Sequence, residues 1–157
     1  MQMTYRELKD EIAKIIPRSI EYEIDLEAGN IAIITADMKP FTGQDGLIGK
    51  IARRVKRKIV LRTPIDAMMD MDKARDVIHE VIPQDADITE MYFDACYREV
   101  IIQCRQPGTA IGRRGENSNA IRDKTGWAVK VERTPPLFSK TVHDIRMYRQ
   151  SHGDERR

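Results

Sequence analysis

The sequence predicts an α+β fold built from two copies of one unit. In each half of the 157-residue chain a helical pattern ends at a proline, Pro17 in the first half and Pro83 in the second. Each half also has a strand pattern that ends before a second proline, Pro64 in the first half and Pro135 in the second. Between these prolines each half has a Gly-x-x-Gly, at 43–46 and at 112–115. The charge also runs from acidic to basic twice along the chain. Such recurrence indicates a duplicated domain of about 65 residues.

The first helix of each copy is predicted from its cap and its apolar stripe. Thr4 and Glu7 have the spacing of a capping box, and the apolar residues between Tyr5 and Ile16 fall on one helical face. In the second copy Asp70 or Asp72 can cap a helix whose stripe runs to Ile82. A proline follows directly in both copies and stops the helix.

Strand patterns follow each helix. In the first copy Ile20, Tyr22, Ile24 and Leu26 alternate with acidic residues, which predicts a strand with one buried face. A turn at 28–30 then leads into a second strand. The remaining elements are a short helix, the glycine turn, a helix and a last strand. In the first copy the second strand is predicted at 31–34, the helix after the glycine turn at 47–58 and the last strand at 59–62. In the second copy the two hairpin strands are predicted at 88–95 and 99–104, the helix at 116–124 and the last strand at 127–132.

Position makes the two Gly-x-x-Gly segments informative, because the motif by itself is common. Each lies between two helical patterns, where the amide groups of a helix N-terminus can face an anion. The first copy offers two overlapping matches, "GQDG" at 43–46 and "GLIG" at 46–49. We favour "GQDG", because "GLIG" leaves only about eight residues of helix before the strand "IVLR".

The order helix, strand, strand, helix, Gly-x-x-Gly, helix, strand resembles that of type II KH domains, and "PGTAIGRRGENSNAIRDKTGW" at 107–127 is similar to their RNA-binding core. The tandem arrangement, with "GWAVKVERTPPL" after it, further resembles the N-terminal region of archaeal cleavage and polyadenylation specificity factor-like ribonucleases of the metallo-β-lactamase/β-CASP class. The resemblance implies an α+β fold of two tandem type II KH domains (αββααβ), each a three-stranded sheet packed on helices. The implied bounds are KH domain 1 at 1–66, KH domain 2 at 67–136, and a C-terminal helix and linker at 137–157.

The resemblance also implies single-stranded RNA as the ligand, bound mainly by KH domain 2 in RNA 3′-end processing or transcription termination. Glycine lets the backbone approach a phosphate closely, and arginine adds charge and several donors. The implied RNA-binding residues are Ile111, Gly112, Arg113, Arg114, Gly115, Ile121, Arg122, Val129 and Lys130. For the three apolar residues, plain core packing is the competing interpretation. Trp127 at the start of the last strand is expected in the core.

KH domain 1 departs from the pattern in its loop. Gln44 and Asp45 supply no positive charge, and Asp45 repels phosphate. Its helix is nevertheless strongly basic, because 46–62 contains seven basic and no acidic residues. The candidates for a secondary contact, either with RNA or with another domain, are Lys50, Arg53, Arg54, Lys56, Arg57 and Lys58.

Several function classes fail on motif spacing. A Walker A loop has four residues between its two glycines, and the second glycine is followed by Lys and then Ser or Thr. Gly108 and Gly112 are separated by only three residues, and Gly112 is followed by two arginines. The strands "IAII" and "EVIIQC" lack the stacking aromatics of an RRM. The histidines His79, His143 and His152 lack zinc-site spacing. We therefore expect no catalysis, metal or cofactor in this chain; zinc is expected only in the nuclease domains.

The sequence leaves other questions open. The chain is either the RNA-recognition part of a nuclease, with metallo-β-lactamase/β-CASP domains in cis, or a free-standing RNA-binding protein. A KH-fold scaffold for protein interaction or homodimerisation, with weak RNA binding, is the alternative function. A final helix is predicted at 139–150, with Val142, Ile145 and Tyr148 on one side, before the polar linker "SHGDERR". The apolar runs are far shorter than the roughly 20 residues that span a bilayer, so we expect a cytoplasmic protein.

Overall fold

The computed structural model describes residues 2–152 and divides into two compact units, the first ending at Pro64 and the second beginning at Ile65. Each unit has its own three-stranded sheet and its own hydrophobic core. The predicted α+β class, with sheets packed on helices as in KH-type domains, is confirmed. The boundary predicted between residues 66 and 67 falls inside a 3₁₀ turn, Ile65–Ala67.

The first unit follows the predicted order of elements. They are α1 (Tyr5–Ile15), β1 (Glu23–Glu27), β2 (Asn30–Ile34), a 3₁₀ turn (Lys39–Phe41), α2 (Leu47–Val55) and β3 (Ile59–Arg62). The capping box of α1 is present: the Glu7 amide donates to the Thr4 hydroxyl at 3.3 Å, and the Thr4 amide donates to the Glu7 carboxylate at 2.7 Å. Helix α2 ends three residues before its predicted limit, because Lys56 adopts a left-handed conformation with φ 54°.

The sheet of the first unit has the order β1-β2-β3. Strands β1 and β2 are antiparallel and joined by Ala28 and Gly29, whose φ values of 42° and 89° suit the tight turn of a two-residue hairpin. Strand β3 runs parallel to β2, so the chain must cross over between them, and α2 lies on that crossover. The core beneath the sheet is contributed by both helices, the residue after α1, two strands and the 3₁₀ turn: Leu8, Ile12, Ile16, Ile31, Ile33, Phe41, Ile51, Val55, Ile59 and Leu61.

The first strand corrects the predicted alternation. Strand β1 begins only at Glu23, and at its end Leu26 is 47% exposed while Glu27 is 6% exposed. The Glu27 carboxylate accepts from Arg62 Nη2 at 3.1 Å, so its charge is paired where it is buried. The alternation could not reveal the burial of Glu27, because its ion-pair partner lies 35 residues away in the sequence.

The second unit repeats this order with longer strands, and it adds a short helix before the glycine loop and a final helix. Its elements are α3 (Met71–Val81), β4 (Ile88–Asp94), β5 (Glu99–Cys104), α4 (Pro107–Ile111), a 3₁₀ turn (Arg113–Gly115), α5 (Glu116–Thr125), β6 (Ala128–Arg133) and α6 (Lys140–His152). Of the two candidate caps, Asp70 is the one used: its carboxylate accepts from the amides of Asp72 and Lys73 at 3.2 and 3.4 Å.

The sheet of the second unit has the order β4-β5-β6, antiparallel and then parallel. Trp127 is buried as expected: its indole Nε1 donates to the Met69 carbonyl at 2.8 Å, and its ring meets Phe93 edge-on at 5.0 Å. The buried core comprises Ala74, Ile78, Ile82, Ala86, Met91, Phe93, Val100, Ile102, Cys104, Ala110, Ile121 and Trp127.

Helix α6 packs on β4 mainly through polar contacts. Tyr92 Oη hydrogen-bonds His143 Nδ1 at 2.7 Å, Arg149 pairs with Asp94 at 2.6 Å, and Gln150 accepts from the Phe93 amide at 3.0 Å. The predicted apolar side of this helix stays exposed at Val142, Ile145 and Tyr148. Two residues of the predicted linker, at 151–152, belong to α6; the rest, at 153–157, lies outside the described residues.

Within residues 2–152, no helix combines the length and the apolar character that crossing a membrane requires.

Candidate nucleic-acid interface

The two Gly-x-x-Gly loops occupy equivalent places and are closed by the same hydrogen bond. In the second unit the Gly115 amide donates to the Gly112 carbonyl at 3.3 Å, and in the first the Gly46 amide donates to the Gly43 carbonyl at 3.2 Å. Each loop directly precedes a helix. The preference for "GQDG" is confirmed, since the rival "GLIG" begins at the N-cap of α2 and continues into that helix.

Glycine is required by the backbone of the second loop. Gly112 has φ 77° and ψ 178°, a combination that residues with a Cβ avoid, and a Cβ there would lie 2.8 Å from Glu116 Cγ. Arg114 and Gly115 are also left-handed, with φ 52° and 74°. The side-chain Nδ2 of Asn117 donates to the Thr109 carbonyl at 3.3 Å and ties α5 to α4 beneath this sharp turn.

The second loop presents uncompensated positive charge. Arg113 and Arg114 are both exposed, and across residues 2–152 neither has an ion-pair partner within 4.0 Å. The N-cap of α5 is Gly115, which has no side chain to accept from the first-turn amides. Free amides at a helix N-terminus attract anions, and two neighbouring guanidinium groups add full charges and several donors. The loop can therefore hold a phosphate.

Glu116 is a feature of this loop that the sequence reasoning did not use. It is exposed at the first position of α5, where a carboxylate is favoured by the helix dipole. Its Cγ lies close enough to Gly112 to block a Cβ there. A carboxylate at this place competes with phosphate for the same amides, and its position directly after "GRRG" could have revealed it.

Of the three residues predicted to form the apolar groove, only two have exposed surface. Ile111 and Val129 are half-buried, and Val129 packs against the core of the second unit. Ile121 has no exposed surface, so its side chain cannot touch a base in this structure. The competing interpretation of core packing is correct for Ile121, because it faces the sheet from the middle of α5.

The two predicted polar contacts differ in placement. Arg122 is partly buried, with Nε 3.8 Å from an Asp123 carboxylate oxygen but no hydrogen bond to that nitrogen. Lys130 is more exposed and lies 3.5 Å from Glu132. Because Val129 and Val131 face the core, Lys130 points to the opposite face of the sheet, where it lines a cleft beside α6. The structure therefore does not bring Lys130 to the side of the sheet on which α5 packs.

Strand β6 adds backbone groups to the candidate interface. It is an edge strand in the order β4-β5-β6, and both α4 and α5 contact it. An edge strand leaves alternate amide and carbonyl groups unpaired with a neighbour. These groups can hydrogen-bond a ligand that lies between α4, α5 and this edge.

The basic residues of the first unit lie on α2 and the turn after it. Lys50, Arg53, Arg54, Lys56 and Lys58 are exposed, and Arg57 is half-buried. Arg54 forms an ion pair with Glu11 of α1. The loop before α2 presents Gln44 and Asp45, both exposed, so the positive charge lies on the helix and not on the loop.

Residues 2–152 contain no cluster of three or more His, Cys, Asp or Glu side chains that could hold a metal ion.

Comparison with known proteins agrees with a KH fold. Residues 2–68 match the family model described as the KH domain of transcription termination factor FttA. Across 96% of its length the chain is 35% identical to "Transcription termination factor FttA" of Methanothermobacter thermautotrophicus, over 152 residues that make up 24% of that protein. The proteins of the same name from Pyrococcus abyssi and Thermococcus kodakarensis are 33% and 31% identical over 97% of this chain and 24% of their own.

The chain spans about a quarter of the length of the curated relatives it matches. The family match covers the unit whose loop lacks arginines, and the longer alignments extend through the unit that has them. Residues 2–68 thus match the model of the KH domain of transcription termination factor FttA, and almost the whole chain is similar to part of that protein.

Proposed function

We propose that the second unit binds single-stranded RNA at its "GRRG" loop, and that this chain is the RNA-recognition region of an FttA-like termination factor. The single observation that carries the proposal is the glycine-closed loop, in which two exposed arginines without acidic partners precede an uncapped helix. The name of the relatives adds a process, transcription termination, in which a nascent RNA is present.

The recognition follows from the geometry of the loop. The sugar-phosphate backbone lies against Gly112 and Gly115, where no Cβ intervenes, and Arg113 and Arg114 neutralise phosphates. A KH loop holds about four nucleotides, with bases turned toward an apolar groove. Ile111 and the half-buried Val129 supply the apolar surface, and the open edge of β6 supplies hydrogen-bonding groups.

In the larger protein this region would deliver RNA to a catalytic part. The resemblance to archaeal cleavage and polyadenylation specificity factor-like ribonucleases implies metallo-β-lactamase/β-CASP domains in cis, which would bind zinc and cleave RNA. We assign no catalytic role to the present chain, since its three histidines lack zinc-site spacing. We place this activity in the cytoplasm.

A scaffold for protein interaction or homodimerisation is the alternative function. The exposed apolar residues of α6, namely Val142, Ile145 and Tyr148, favour it, because such a stripe suits a protein partner. On this alternative the loop arginines contribute little to RNA affinity.

Titration with single-stranded RNA at several salt concentrations separates the two functions. Each phosphate contact contributes about 0.7 to the slope of log affinity against log salt for a single strand. Arg113→Asp with Arg114→Asp should therefore reduce the slope by about 1.4 and weaken binding. If affinity and slope both stay at the wild-type values, the loop does not bind RNA and the scaffold function is favoured.

A further inference from the structure

The first unit concentrates positive charge on a surface other than its loop. Residues 46–62 contain seven basic and no acidic side chains. Arg54 is paired with Glu11, and Arg62 is paired with Glu27. The other five have no acidic partner within 4.0 Å across residues 2–152, and we call them the α2 basic surface: Lys50, Arg53, Lys56, Arg57 and Lys58.

This concentration is unfavourable to the isolated fold. Like charges three or four residues apart on a helix repel, by about 0.2–0.5 kcal/mol per pair, and Lys50 is so placed relative to Arg53 and Arg54. A few cations at the end of α2 would complement its dipole, but Lys50 and Lys58 lie outside its last turn. The excess of charge is better explained by a ligand than by folding.

The conformation of Lys56 supports the same conclusion. With φ 54° it ends α2 in the left-handed region, which favours glycine. The equivalent residue of the second unit, at the end of α5, is Gly126 with φ 81°. A charged side chain thus occupies a position where glycine would be more stable, and strain of this kind concentrates at functional sites.

We propose that the α2 basic surface binds the sugar-phosphate backbone of RNA without regard to sequence, so that the first unit contacts RNA through its helix and following turn instead of its loop. Three of the five side chains are lysines, which are depleted in protein–protein interfaces but serve well as point charges for phosphate. The α2 basic surface increases the affinity for RNA, and other surfaces of the protein distinguish the bases. The inference shares with the proposed function only the nature of the ligand.

The test combines two sets of substitutions in the full chain. One is Lys50→Glu with Arg53→Glu and Lys58→Glu, and the other is Arg113→Asp with Arg114→Asp; each is measured alone and together. The probe is a fluorescently labelled single-stranded RNA of about 20 nucleotides, titrated at several salt concentrations. The matched control is Arg6→Glu with Lys9→Glu and Arg18→Glu, which changes the charge of the same unit equally at exposed positions.

We expect the α2 triple variant to reduce the salt slope by about 2, at 0.7 per contact, and to do so in both loop backgrounds, while the control triple variant changes it much less. Equal effects of the two triple variants would overturn the inference, because only net charge would then matter. A loop effect without an α2 effect would also overturn it and leave the proposed function standing. The reverse result would support the inference and refute the proposed function.

Correct folding is checked by far-UV circular dichroism. Should the glutamate variant fail to fold, Lys50→Gln with Arg53→Gln and Lys58→Gln removes the same contacts without adding repulsion. That variant should still reduce the slope by about 2, and an unchanged slope would refute the inference as firmly.

Discussion

The two units close their Gly-x-x-Gly loops with the same hydrogen bond but put their positive charge in different places. In the second unit the charge lies inside the loop, on Arg113 and Arg114. In the first it lies on α2 and the turn after it, and the loop itself contains Asp45. The backbone of the loop is therefore a property of the fold, whereas its capacity to attract phosphate depends on two side chains.

This difference also separates structural from functional glycines. Gly46 has an ordinary φ of −67°, but a Cβ there would overlap the carbonyl oxygens of Phe41 and Thr42. Gly112 has φ 77°, and a Cβ there would meet the movable side chains of Glu116 and Asn117. The first glycine is needed for close packing, and the second for a conformation of the chain.

The largest expected effect comes from adding a methyl group at these two glycines. Gly46→Ala should destabilise the first unit by about 1–3 kcal/mol, because backbone oxygens cannot move aside. Gly112→Ala should destabilise the second by a similar 1–3 kcal/mol through backbone strain. Urea unfolding followed by the single tryptophan, Trp127, reports on the second unit, and amide hydrogen exchange reports on the first. A Gly46→Ala protein with unaltered exchange in the first unit would contradict the overlap.

Helix α6 is present only in the second unit, and we expect its attachment to that unit to depend on pH. Burial opposes ionisation of Glu132, but the hydrogen bond and charge of Arg146, helped by Gln103 and Lys130, outweigh it and lower the pKa. A carboxyl with a lowered folded-state pKa stabilises the fold above its unfolded value of about 4.3 and loses this contribution as pH falls through the folded value. The attachment of α6 should therefore weaken as the pH falls below about 4.3 and Glu132 becomes protonated.

Hydrogen exchange of the α6 amides at pH values between 3 and 7 (roughly the range that brackets this titration) measures the effect. Glu132→Gln should flatten the acid dependence, whereas Glu80→Gln on the exposed side of α3 should leave it unchanged. An identical acid response in wild type and Glu132→Gln would show that another group holds the helix.

The helix ends of the two units offer a smaller effect. Lys56→Gly should stabilise the first unit by roughly 1 kcal/mol, because glycine adopts the left-handed conformation without a steric penalty. The converse Gly126→Lys should destabilise the second by a similar roughly 1 kcal/mol. Thermal unfolding followed by circular dichroism tests both. If Lys56→Gly is neutral or destabilising, the left-handed conformation of Lys56 is not strained.

The smallest expected effect concerns the carboxylate that only the second loop places at the start of its helix. Glu116→Gln should raise RNA affinity by roughly two- to fivefold, since a charge at a helix N-terminus is worth about 0.3–1 kcal/mol. Glu80→Gln removes the same charge from the same unit and serves as the control. Fluorescence anisotropy measures both, and equal gains for the two variants would assign the effect to net charge alone.

The elements of the fold could be predicted because their signals are local. The capping box of Thr4 lies within four residues, the strand "IVLR" was placed at its observed bounds, and a proline follows both first helices. The burial of Glu27 could not be predicted, because it depends on the pairing of Glu27 with Arg62, a contact distant in sequence.

The glycine loop of the candidate site could be predicted from the sequence, but the placement of the residues around the loop could not. The positions of the glycines and arginines follow from the order of elements, and both loops lie where that order puts them. The burial of Ile121 and the outward direction of Lys130 depend on how α5 and β6 meet in the packed unit. The polar contacts of α6 with Tyr92 and Asp94 join residues far apart in sequence, so no local pattern indicated them.

Exchanging the two loop sequences is the most direct test of the account. Arg113→Gln with Arg114→Asp gives the second unit the loop of the first, and Gln44→Arg with Asp45→Arg does the converse. Measured as log affinity for single-stranded RNA against log salt, the first change should lower the slope by about 1.4 and the second should raise it by up to about 1.4. A slope that stays at the wild-type value after the arginines leave the second loop would contradict the central claim that this loop holds the phosphates.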